Sequence, residues 1–134
     1  MLSTSVALNL LASLGIFVMG LKYVRAEPPL DYHAEIMKDQ NTSAETLMVL
    51  GALYKAMGGG FIALAFVVAI LAVFGVWNDV FWAKLAILIG ALVAGGFTVL
   101  GARTVEISTG VRTPWRIALG LTAVSTVAFI LSVI

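Results

Sequence analysis

The chain has no cysteine and one histidine, His33, among its 134 residues. Disulfides, a thiolate nucleophile and a multi-histidine metal site are therefore excluded together, and no metal or cofactor is expected. Charge is scarce too: Lys, Arg, Asp and Glu make up 11% of the chain and sum to a net charge of +1. No basic field exists to recruit nucleic acid. No Asp or Glu falls inside the long uncharged stretches, which argues against the carboxylate-centred proton coupling of many small exporters.

What the chain has instead is apolar side chain, at 61% of residues and a mean hydropathy of +1.07, against about 45–50% in ordinary soluble domains. A single domain of this size has too little interior to hide that much, so lipid has to serve as solvent. Uncharged runs cover residues 2–21, 56–78, 85–102 and 117–134. At 1.5 Å per residue each approaches the roughly 30 Å hydrocarbon layer. The expected fold is all-α: one integral domain, 1–134, forming a four-transmembrane-helix bundle with spans near 2–22, 47–76, 80–102 and 114–134. A polar loop, 23–46, carries a short amphipathic segment in which Tyr32, Ile36 and Met37 recur at helical spacing. The first run reads as a retained helix, because no Lys or Arg precedes it and Lys22 and Arg25 follow it.

The basic residues set the expected orientation. Lys22, Arg25 and Lys38 follow the first span, and Arg103, Arg112 and Arg116 follow the third. The turn between spans two and three has only Lys84. By the positive-inside rule, loops one and three are cytoplasmic and both termini are outside. Helix starts are expected at Thr42, with the capping-box partner Glu45, at Asn78, and at Thr113 before Pro114.

Two features of span two invite a functional reading. Gly58, Gly59 and Gly60 each weaken a helix by about 1 kcal/mol relative to Ala, so they are either close-packing positions or a break lining a cavity. Ala52, Ala56 and Gly60 recur every four residues, as do Gly90 with Ala94 and Ala91 with Gly95, the spacing of closely approaching helices. Lys55 is the best-placed ionisable group and falls at the cytoplasmic edge, where it either anchors in headgroups or contacts a ligand. His33, Tyr54, Lys55, Arg103 and Glu106 form the candidate ligand-binding set. Alone, His33 reads as surface-exposed and Arg103 as a partner for Glu106 three residues on. No catalytic residue is assigned.

Leu53-Tyr54-Lys55-Ala56-Met57-Gly58-Gly59, with Thr113-Pro114-Trp115 later, resembles a group of small four-helix inner-membrane proteins of bacteria. There a Leu-Tyr-basic-x-x-Gly-Gly run opens the second span. The resemblance implies a bacterial inner membrane, an undefined activity and no catalytic residue to carry over. Three function classes are compatible with the residues. The first expectation is a non-enzymatic accessory or scaffolding subunit, partnered by lipid and by a second copy or a larger membrane complex. The alternatives are a small transporter or channel using the glycine break and Lys55, and a lipid- or quinone-binding enzyme at the cytoplasmic interface, which would require the candidate side chains to converge on one apolar pocket.

Overall fold

The computed structural model describes all residues, 1–134, and is entirely helical. The helices are α1 (Leu2–Arg25), α2 (Asp31–Met37), α3 (Ala44–Ile70), α4 (Phe81–Thr109) and α5 (Trp115–Val133); a π-helical segment, Leu71–Val76, prolongs α3. Four helices are long and apolar enough to cross a membrane, the second counted with its π extension as Ala44–Val76. Only 23 of the 134 residues are buried, while Leu11, Phe66, Phe97 and many other large apolar side chains face outward. That surface fits hydrocarbon rather than water, and the chain is a multi-pass membrane protein.

α1 is the central helix. Ser13 Oγ donates to Ala65 O at 2.8 Å on α3, and Ser5 Oγ donates to Ala128 O at 2.7 Å on α5. Such bonds contribute roughly 0.6 kcal/mol each between membrane helices. α1 and α3 come closest where Gly20 faces Gly58. A Cβ on Gly58 would lie 2.7 Å from Gly20 O and 2.6 Å from Val24 Cγ2. Around the bundle the order is α3, α1, α5, α4, all neighbours antiparallel. α4 packs on α5 and on the π-helical segment but hardly on α3 itself, so the ring is closed at one end and open along the α3–α4 seam.

Several helix ends differ from expectation. Ser43, not Thr42, caps α3, its Oγ accepting from Thr46 N at 3.3 Å. Asn78 does not cap α4. Its amide donates back to Phe74 O at 2.9 Å and finishes the preceding helix. Thr113 is not an accepting cap for α5, since Pro114 holds that position and Thr113 Oγ1 donates to Ala102 O at 2.8 Å. α4 runs on past Ala102 to Thr109 because nothing stops it before Gly110, whose left-handed φ of 73° closes the helix with a bond to Glu106 O.

The glycine triplet does not break α3, which is α-helical throughout Ala44–Ile70. The irregularity comes later, in the π turn, where Trp77 N reaches Ala72 O and Val80 N reaches Gly75 O. There Gly75 lies so close to Ala83 that no Cβ would fit.

Candidate functional site

The three tyrosines of the chain and its only histidine meet at the end of the bundle where α1 finishes and α3 begins. Pro28 and Pro29 follow the end of α1, with Pro28 seated against Gly51, and the chain turns back so that α2 brings Tyr32 to Tyr23 and His33 to Tyr54. Tyr54 is 2% exposed. Its hydroxyl accepts from Leu30 N at 3.2 Å and meets His33 Nδ1 in a short hydrogen bond. The Leu30 amide has only its own hydrogen to give, which leaves the Tyr54 hydroxyl hydrogen for Nδ1. The two rings stack at 5.4 Å with 15° between planes. Tyr23 stands edge-on to Tyr54 at 5.7 Å, and its hydroxyl lies 3.1 Å from that of Tyr32.

This corrects the reading of His33 as a surface residue. Its ring is partly buried between Tyr32 and Tyr54. Desolvation there pushes its pKa below the ordinary 6.5. Burial, reinforced by the neighbouring Tyr23 hydroxyl, raises the pKa of Tyr32 well above its usual range. Both side chains are therefore uncharged at neutral pH.

The other candidates do not converge on it. Lys55 follows Tyr54 on α3 but turns outward, exposed and without a hydrogen-bonding or ionic partner. Arg103 does not pair with Glu106. Its guanidinium lies over the Trp115 ring at 5.8 Å, while Glu106 binds Arg116 through both carboxylate oxygens, at 2.8 and 3.2 Å, and accepts from Thr113 N at 2.8 Å. The three-residue spacing lost because the start of α5 brings a second guanidinium and a backbone N–H to the same carboxylate.

Among the proposed packing positions, Gly58 and Gly95 sit against neighbouring helices, Gly95 directly beneath Thr122, and Gly90 faces Leu64 at ordinary contact distance. Ala94 is half-buried. Ala52, Ala56, Gly59 and Gly60 face outward, and nothing approaches Gly59 or Gly60. Residues 52, 56 and 60 lie on a different face of α3 from Gly58, and α1 occupies the Gly58 face.

Behind the tyrosines the open α3–α4 seam forms a crevice of about 80 Å³; a single water needs roughly 10–15 Å³ on that scale. Phe61 and Leu64 of α3 form one wall and Ala91, Ala94 and Gly95 of α4 the other, with α1 and α5 as floor. Thr98 and Thr122 also line it, but their hydroxyls are bonded to Ala94 O and Ala118 O of their own helices. Ser125 of α5 adds a third hydroxyl, but the lining is otherwise dominated by apolar side chains, and the crevice reaches Tyr23 and Tyr32 at one rim and Ala102 and Pro114 at the other.

Tyr23 and Tyr32 were not among the candidate site residues from sequence, where Tyr32 read only as a position of the amphipathic segment. Lys84 was a second omission. It is 5% exposed, donating to Asp79 Oδ1 and Ser132 O, each at 2.5 Å. No protein-family model, curated protein or solved structure matches the chain.

Proposed function

We propose that the chain is a non-catalytic protein of a bacterial inner membrane, with loops one and three cytoplasmic and both termini outside, that holds the tail of one membrane amphiphile in the α3–α4 crevice. The observation that carries this reading is the crevice itself: a largely apolar gap between two lipid-exposed helices, ending at the Tyr23–Tyr32 hydroxyl pair. An empty gap forfeits dispersion contacts on both walls, and the surrounding hydrocarbon supplies chains of the right chemistry. The continuity of α3 through Gly58, Gly59 and Gly60 removes the feature on which the transporter alternative relied. The outward turn of Lys55 takes away the charged group an interfacial enzyme would have used.

A second reading, an accessory subunit of a larger assembly or of a homo-oligomer, is favoured by the outward stripe of Ala52, Ala56 and Gly60, a spacing that lets another helix approach closely. Purification at native expression level tests it: a lone monomer counts against it.

For amphiphile binding, the protein is extracted in mild detergent and its co-purifying lipids and quinones are measured by mass spectrometry, beside Ala94→Phe, which places a ring in the crevice. The expected result is about one equivalent on the native protein and a loss of most of it in the variant. Equal recovery from both would overturn the reading.

A further inference from the structure

We infer that the amphiphile held in the crevice carries an anionic phosphate head, bound at the rim formed by α4 and α5; the inference rests on the crevice holding a tail at all. The argument is an inventory of charge at that rim. Ala102 and Pro114 line the crevice where it opens, and Arg103, Arg112 and Arg116 are their near neighbours in the chain. Only one of these arginines is neutralised. Arg116 occupies both oxygens of Glu106, and Thr113 adds its N–H to Oε2, so this carboxylate is committed to Arg116 and to the start of α5. Arg103 and Arg112 have no carboxylate partner.

Arg103 is nevertheless held in place, its guanidinium lying over the Trp115 ring, with its planar fork of donors available for a second contact. A phosphate meets such a fork with two parallel hydrogen bonds. Across the opening, the Tyr23–Tyr32 hydroxyl pair uses one of its two hydrogens internally, which leaves one donor for another acceptor oxygen. Two uncompensated cations and a spare hydroxyl donor match a negatively charged head. A quinone carbonyl would use the hydroxyl and leave both arginines unanswered.

The test uses the full-length protein in detergent, offered phosphatidylglycerol, phosphatidylcholine or a short-chain ubiquinone analogue in separate titrations, with retention read by native mass spectrometry. Phosphatidylglycerol is expected to be retained at least about fivefold better than either alternative, the worth of roughly one arginine–headgroup contact. Arg103→Gln with Arg112→Gln should bring it down to the phosphatidylcholine level. Lys55→Gln, which removes an unpaired cation at the same end of the bundle but away from the rim, should leave the preference intact. Phosphatidylglycerol retained no better than phosphatidylcholine, whose phosphate is balanced by its own ammonium, or no better than the quinone, a preference that survives the double arginine change, or an equal loss in Lys55→Gln would each overturn the assignment of a net-anionic phosphate head. Ala94→Phe separates the two levels of the argument. If it empties the crevice of every probe while headgroups are not distinguished, tail binding stands and the phosphate inference falls; if phosphatidylglycerol is retained undiminished, both fall.

Discussion

Lys84 Nζ donates to the carbonyl oxygen of Ser132 at 2.5 Å, joining the first turn of α4 to the last turn of α5 across 48 residues of sequence. The final carbonyls of a helix have no intrahelical donor and carry the negative end of its dipole, so an ammonium suits that position. Asp79, held at a φ of 58° in the tight turn before α4, supplies the counter-charge at 2.5 Å from the solvent side. The two partners are unequally placed: Lys84 is 5% exposed and the Asp79 side chain 70%.

That asymmetry predicts an order of damage. Lys84→Met strands only a solvated carboxylate and one carbonyl, a loss of about 1–3 kcal/mol for a hydrogen bond to a charged group. Asp79→Asn keeps the turn, since Asn accepts the left-handed conformation as readily as Asp, but leaves the buried ammonium without its counter-ion. It should be the more destabilising change. Thermal unfolding of both variants in one detergent checks the order, and a larger loss from Lys84→Met would contradict it.

The glycines of α3 give a second contrast. Gly58→Leu drives a side chain into the backbone of α1 at Gly20 and should cost about 1–3 kcal/mol or more through overpacking. Gly60→Ala, on an open face, should leave packing untouched and stabilise the helix by up to about 1 kcal/mol. Melting temperatures that move together in the two variants would show that both positions are packed alike.

The same pair shows which parts of the architecture could be read in advance. The four crossings follow from charge-free length, because lipid penalises a charge wherever it sits along a span. Rotation of each helix about its axis does not follow. In water an amphipathic stripe marks the inward face, whereas in lipid the outward face is equally apolar. Gly58 and the stripe of 52, 56 and 60 both had a plausible packing pattern, and only the position of α1 distinguishes them. Lys84 was misread for a related reason: counted from Trp77 it belongs to a turn, but α4 starts at Phe81 and turns the side chain inward. His33 and Tyr54 were legible as candidates. Their union with Tyr23 and Tyr32 depends on the fold of the 26–30 connection, which has no periodicity to read.

The orientation can be probed without background because the chain has no cysteine. Ile134→Cys, at the terminal end, and Arg112→Cys, in the loop between α4 and α5, lie at opposite ends of the bundle. With both termini outside, a membrane-impermeant maleimide added to intact cells should label position 134 and spare position 112 until the membrane is opened. The reverse pattern would invert the assignment and move the tyrosine–histidine cluster to the outer face.

His33 should make the docking of α2 sensitive to mild acid. Burial holds its pKa below 6.5 when the imidazole is stacked on Tyr54, whereas an undocked, hydrated imidazole titrates near 6.5. Between the two values the undocked state binds more protons, so docking strengthens as pH rises through that window and is complete above it. Acidification below 6.5 therefore weakens the contact, by no more than about tenfold per pH unit, the limit for one proton. Protonation also fills Nδ1, which takes the Tyr54 hydroxyl hydrogen. Hydrogen exchange of residues 31–37, corrected for intrinsic rate, should show less protection at pH 5.5 than at 7.5 in the native protein. In His33→Gln, which keeps a polar side chain but cannot titrate, protection should be the same at both pH values. Retained pH dependence in that variant would mean that a carboxylate of the loop, rather than the histidine, controls the position of α2.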